Sequence, residues 1–115
     1  MHLATDSGRL DAAFFALSDA TRRGILVRLA HGEATVNELT GAFAISQPAI
    51  SRHLKVLEQA GLIARRRDAQ RRPAVIERQP IAQLEAWIER YRKLWESTYQ
   101  RLDAALADEL DARST

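Results

Sequence analysis

The chain has 115 residues, 46% of them apolar and 28% charged, which suits one domain with a modest core and argues against disorder. It contains no Cys, which excludes disulfides, thiolate metal sites, iron–sulfur clusters and a cysteine nucleophile. The net charge of +2 is, taken whole, weak evidence for a nucleic-acid partner.

In chain order, residues 1–8 read as a flexible N-terminus. Leu10, Ala13, Phe14 and Leu17 then recur at helical spacing. Ser18 or Asp19 can cap a second helix, whose inner stripe is Ile25, Leu26 and Leu29 and which His31-Gly32 ends. Thr35 with Glu38 three residues later is a capping-box pattern. It opens a short helix with Val36, Leu39 and Phe43 inward. Ser46 caps a fourth helix, and Pro48 sits in its first turn, where a missing N–H costs nothing. Its buried stripe is Ile50, Leu54 and Leu57, and Gly61 is the stop.

Leu62–Arg67 is too short for a helix, and Ala74–Arg78 again reads as extended. Two strands around an Arg-rich turn make a β-hairpin. The turn 68–72 has no Gly, so a tight two-residue turn is not expected. Pro80 opens a long helix to about Leu110, with a seam at Leu84, Ile88, Tyr91, Trp95, Thr98, Leu102 and Ala105 in alternating steps of four and three. Trp87, Leu94, Tyr99 and Leu106 widen that stripe, and 111–115 reads as a flexible tail. The expected fold is mainly α with a small β-hairpin, in the order ααααββα, over a single domain of residues 9–110.

The small net charge hides an asymmetry. Residues 46–72 hold seven basic groups against two acidic ones, +5 in 27 residues, so the rest carries −3. A basic run is often only a solvated face; beside a near-neutral remainder it fits a local phosphate-binding surface. Residues 35–60 have the layout of a helix-turn-helix. The second of these helices puts Ser46, Gln47, Pro48, Ser51, Arg52, His53 and Lys55 in its first turns, as a major-groove reading helix needs. Gln47 suits adenine and Arg52 suits guanine or phosphate. Thr35 is a further candidate DNA contact. The hairpin reads as a wing, in which Arg65 and Arg67 share one strand face and Arg66 the other, with Arg71 and Arg72 at or past the tip. These five arginines are assigned to phosphate and groove-shape contacts.

Leu17-Ser18-Asp19-Ala20-Thr21-Arg22-Arg23-Gly24-Ile25-Leu26 resembles the opening of ArsR-type winged-helix repressors, which usually reads L-x-D-P-T-R-R-x-I-L. Ser46-Gln47-Pro48-Ala49-Ile50-Ser51-Arg52-His53-Leu54-Lys55-Val56-Leu57 followed by Ala60-Gly61-Leu62-Ile63 resembles that family's recognition helix. Residues 87–96 resemble its SdpR-like branch, which lacks metal sites. The resemblance spans about residues 10–108 and implies a homodimeric bacterial repressor that binds double-stranded DNA at an inverted-repeat operator. Ala20 departs from the usual Pro, and the wing lacks its usual Gly and aromatic. Thiolate sensors of the family carry a Cys pair where this chain has Glu38–Phe43, and zinc sensors use His in the last helix, where this chain has none. No metal or cofactor is therefore expected, and the inducing signal stays open.

The long helix, ~45 Å at 1.5 Å per residue, has a spare apolar face. Leu10, Phe14, Leu84, Trp87, Ile88, Tyr91, Leu94, Trp95, Thr98 and Leu102 are the expected dimer interface. Alternatives are a winged-helix protein-interaction module and a repressor answering an organic ligand at the dimer helices. No acid/base pair, nucleophile–base set or Gly-rich phosphate loop points to an enzyme. No apolar run reaches a membrane span and the first residues lack signal-peptide character, so a cytoplasmic location with no membrane partner is expected.

Overall fold

The computed structural model describes residues 3–114, with side chains from residue 8 onward. Five helices and one hairpin follow in the order α1 (Leu3–Leu17), α2 (Ala20–Ala30), α3 (Val36–Phe43), α4 (Gln47–Gln59), β1 (Ile63–Arg65), β2 (Ala74–Ile76) and α5 (Arg78–Ser114). The fold is a winged helix-turn-helix. The chain divides into two compact units, Met1–Ile81 and Ala82–Thr115; α5 starts in the first and forms the described part of the second.

Side-chain caps set the helix starts. Asp19, not Ser18, caps α2 by accepting the Arg22 N–H at 3.0 Å. The Ser18 hydroxyl instead donates to the Phe15 carbonyl at 2.6 Å. Thr35 and Glu38 form the reciprocal capping box of α3, and Ser46 accepts the Ala49 N–H at the start of α4, with Pro48 in the first turn. α3 ends at Ala44 in the left-handed region, φ 54° and ψ 36°, a conformation that usually selects Gly or Asn. Gly61, φ 78°, lets the chain leave α4 for the hairpin.

The core of the first unit is built from the expected stripes. Ile25, Leu39, Ile50, Leu54, Leu57 and Leu62 are fully buried, and each such side chain contributes roughly 1.5–3 kcal/mol on burial. α1 turns Ala13 and Ala16 inward, while Phe14 is 41% exposed and Leu10 half-buried. Phe43 and Val36 are half-buried rather than core.

β1 and β2 pair antiparallel, with Ile63 opposite Ile76 and Arg65 opposite Ala74. Ala34, between α2 and α3, adds a bridge to the hairpin, exchanging backbone hydrogen bonds with Ala74 at 3.2 and 2.8 Å. That bridge joins residues forty apart in sequence and has no local signature.

Several boundaries differ from expectation. α1 begins at Leu3, so the helix takes in residues 3–8 of the expected N-terminal segment; Met1 and His2 lie outside the described residues. α5 begins at Arg78, two residues before Pro80, and continues through 111–114; Thr115 lies outside the described residues. A proline in the first helical turn lacks only an N–H that would be unpaired in any case. The wing tip is also tighter than expected. Asp68 and Arg71 exchange both backbone hydrogen bonds, at 3.1 and 2.9 Å, around the two residues Ala69 and Gln70. Ala69 takes the positive φ of 55° that Gly usually supplies.

The second unit carries the aromatic stripe. Trp87 and Tyr91 stack at 5.0 Å, and Tyr91–Trp95 and Trp95–Tyr99 follow at 5.8 Å each. Leu84 is buried, whereas Ile88, Tyr91, Leu94, Trp95 and Leu102 are exposed. Thr98 is half-buried and its hydroxyl donates to the Leu94 carbonyl at 3.1 Å. Arg92 bridges Glu89 and Glu96 along the polar side; its hydrogen bonds hold the Glu89 carboxyl below its usual value.

Candidate nucleic-acid interface

The start of α4 presents a polar face because its apolar residues are committed to the core. Ile50, Leu54 and Leu57 point inward; Ser46, Gln47, Pro48, Ser51, Arg52 and Lys55 are exposed. The side chains of Arg52 and Lys55 have no hydrogen-bond or ion-pair partner among the described residues. Ser46 takes the Ala49 N–H and Pro48 has none, so this surface offers the positive end of the helix, two uncommitted cations and short polar groups.

His53 belongs elsewhere. Its ring is 22% exposed, with Nδ1 3.4 Å from Arg22 Nη1 and 3.9 Å from Asp19 Oδ2. It packs α4 against the start of α2 and stands apart from the exposed face. Arg22 in turn closes the end of α1: Nε donates to the Ala16 carbonyl at 2.7 Å and Nη2 to the Phe15 carbonyl at 3.1 Å. Its guanidinium lies 5.4 Å from the Phe15 ring centroid. Arg23 Nη1 donates to the Leu17 carbonyl at 2.7 Å. The paired arginines thus satisfy carbonyls left open at a helix end.

Thr35 is likewise occupied locally. Its N–H and hydroxyl donate to Glu38 Oε1 at 3.1 and 2.9 Å, and its Oγ1 accepts the Glu38 N–H at 3.3 Å. The backbone N–H of Thr35 is the main reason the Glu38 carboxyl is held below its usual 4.5, with the Thr35 hydroxyl next.

The five wing arginines divide by where their guanidinium donors go. Arg65 turns across the hairpin and gives Nε and Nη2 to the Arg72 carbonyl at 2.9 and 2.8 Å. Burial, and then the neighbouring Arg72 charge, lower its pKa from the usual value. β1 ends at Arg65, so the strand alternation expected to align Arg65 with Arg67 does not extend that far. Arg66 pairs with Glu33 at 3.4 Å and Arg71 with Glu38 at 3.3 Å. Arg67 and Arg72 are exposed, with no ion-pair partner among the described residues. Glu38 therefore caps α3 and tethers the wing tip at once.

One residue beside the candidate site has no signature in the sequence. Asn37, exposed on the first turn of α3, accepts a hydrogen bond from Gln47 Nε2 at 3.0 Å. The two residues lie ten apart on different helices, so no helical periodicity links them. Among the described residues no group of three or more His, Asp or Glu is placed to hold a metal ion, and no helix is long and apolar enough to cross a membrane.

Residues 19–65, which contain both helices of the motif, match the family "Bacterial regulatory protein, arsR family". The chain is 42% identical over 81 residues to the HTH-type transcriptional regulator Rv2034 of Mycobacterium tuberculosis, covering 70% of this chain and 76% of that protein. It is 43% identical over 61 residues to the transcriptional repressor SdpR of Bacillus subtilis, covering 53% and 68%. Among solved structures it is similar to Mb0332 of Mycobacterium bovis, described as a homodimeric winged helix-turn-helix DNA-binding domain. That likeness has a TM-score of 0.66 and 27% identity, over 78% of this chain and 83% of the other.

Proposed function

From the premise that this chain belongs to the arsR family of bacterial regulatory proteins and is a transcriptional regulator, we propose that it is a homodimeric repressor binding an inverted-repeat operator in double-stranded DNA, without metal sensing. The observation that carries this reading is the exposed start of α4, where Gln47, Ser51, Arg52 and Lys55 stand clear of the core. The N-terminal turns of such a helix fit the major groove, with phosphates at the helix N-terminus.

In this reading Gln47 and Arg52 read bases, and Ser46, Ser51 and Lys55 hold the backbone around them. Arg67 and Arg72 are the wing's ready phosphate contacts. Arg66 and Arg71 each spend one donor on Glu33 and Glu38 and turn their remaining donors to phosphate. Arg65 shapes the hairpin, and His53 and Thr35 act by holding α4 and α3 in place. The exposed stripe of Ile88, Tyr91, Leu94, Trp95 and Leu102 meets a second copy, and Leu10 and Phe14 of α1 take part in pairing as well. The homodimeric description of Mb0332 supports the pairing, and the likeness to SdpR supports repression and placement beside that branch. The lack of any Cys removes the thiolate pair that a metal-responsive relative of the resembled type would use.

The test is a gel shift at two salt concentrations, with duplexes selected from the source genome against random duplex. The expected result is tighter binding to a selected inverted repeat and affinity that falls steeply with salt. Equal affinity for selected and random duplex overturns the proposal and favours a protein-interaction module.

A further inference from the structure

The amide of Gln47 is not free to rotate at random. Gln47 opens α4, where an exposed side chain would ordinarily sample several rotamers in water. Here Nε2 donates to Asn37 Oδ1 at 3.0 Å, which holds the amide group toward the start of α3. The Asn37 side chain has no other hydrogen bond among the described residues. It stands one position beyond Val36, behind a start that the Thr35–Glu38 box fixes. Its backbone is therefore set, and the constraint passes from the box through Asn37 to Gln47.

An amide nitrogen carries two hydrogens and its oxygen two lone pairs. The hydrogen bond to Asn37 uses one hydrogen. What remains on Gln47 is one N–H donor and the carbonyl acceptor, which share one edge when the bond to Asn37 takes the hydrogen trans to Oε1. That is the complement of adenine in the major groove, which offers N7 as acceptor and N6–H as donor. Guanine offers two acceptors there, so one point of the fork would meet guanine with like against like. We infer that Asn37 is a positioning residue that aligns the Gln47 amide for adenine, so that base preference at one operator position depends on a residue on the other helix of the motif.

The inference rests on the DNA-reading proposal, and the experiment separates the two. Binding to a selected operator and to its single-base variants is measured for the wild type and for Gln47→Ala, Asn37→Ala, Asn37→Asp and the double alanine variant. Both residues are exposed, so the alanine variants are expected to keep the wild-type circular dichroism. Gln47→Ala identifies the position Gln47 reads, where the wild type is expected to favour adenine by about tenfold. Asn37→Ala is expected to lose most of that preference, with the other positions and the salt slope unchanged. In the Gln47→Ala background it adds nothing further. Asn37→Asp keeps an acceptor for Nε2, so it retains the preference while weakening binding to all sequences through its charge.

Retention of the full adenine preference by Asn37→Ala overturns the inference and leaves the DNA-reading proposal standing. A Gln47-dependent preference for another base overturns the adenine assignment. Absence of any sequence preference in the wild type overturns the DNA-reading proposal and this inference with it.

Discussion

Phe43 lies against Gly24 so closely that a Cβ on Gly24 would come 2.8 Å from its Cε1. The absent side chain in the middle of α2 is thus the seat for a ring at the end of α3. Gly24→Ala gains about 1 kcal/mol of helix propensity but forces the ring outward, at an overpacking cost of roughly 1–3 kcal/mol. Net destabilisation of about 1 kcal/mol is expected in chemical denaturation. In a Phe43→Ala background the same change is expected to stabilise, because only the propensity gain remains. Additive effects of the two substitutions would contradict the contact.

Two alanines adopt a backbone that favours glycine. Ala44 ends α3 at φ 54°, and Ala69 forms half of the wing tip at φ 55°. Left-handed backbone costs an L-residue roughly 1–2 kcal/mol, partly offset by the greater unfolded entropy of Gly. Ala44→Gly and Ala69→Gly are each expected to stabilise by about 0.5–1 kcal/mol, and to add, since one lies in the helix-turn-helix and the other at the wing tip. Thermal unfolding of the two single variants and the double variant checks this.

Within the wing, Arg65 and Arg67 separate by mechanism. Arg67→Ala removes an uncommitted cation and is expected to weaken binding to all duplexes alike, flattening the salt slope by about one unit. Arg65→Ala removes the side chain that spans the hairpin to the Arg72 carbonyl. It is expected to raise amide exchange across residues 63–76 even without DNA. A change confined to the salt slope would show that Arg65 is a phosphate contact after all.

Glu38 links acidity to stability. Its carboxyl titrates below the usual 4.5, chiefly through the Thr35 N–H, with Arg71 adding to the effect. A carboxylate depressed in the folded state stabilises fully above its unfolded value and loses that contribution as pH falls through the folded one. The melting temperature of the wild type should therefore exceed that of Glu38→Gln by a constant margin at neutral pH, and the margin should shrink below about pH 4.5. A margin unchanged to pH 3 would remove Glu38 from the account.

The aromatic stripe of α5 predicts self-association. Trp95→Glu and Leu102→Glu place charge among exposed apolar side chains without touching the buried core. Each is expected to shift sedimentation from dimer to monomer and to weaken operator binding, because both half-sites must then be occupied independently.

Much of this protein is determined by its sequence alone, through interactions that span three or four residues. The capping box at Thr35 and Glu38, the serine cap before Pro48, and the stripes at 25–29 and 50–57 announce the helices, because a helix brings i and i+3 together wherever it occurs. The basic run at 65–72 likewise marks the wing from composition. Tertiary structure decided which charges are free and which side chains face solvent. Arg65 and Arg67 look equivalent in sequence, yet one closes the hairpin and the other is open. His53 sits in sequence among the exposed residues at the start of α4 and turns to Asp19 and Arg22 instead. The two-residue tip formed without Gly because the pairing of β1 with β2 outweighs the modest strain at Ala69. Asn37 meets Gln47 only because α3 and α4 pack together. A hydrogen-bond partner on another element leaves no periodic trace, since its position depends on how the elements pack rather than on any repeat within one of them.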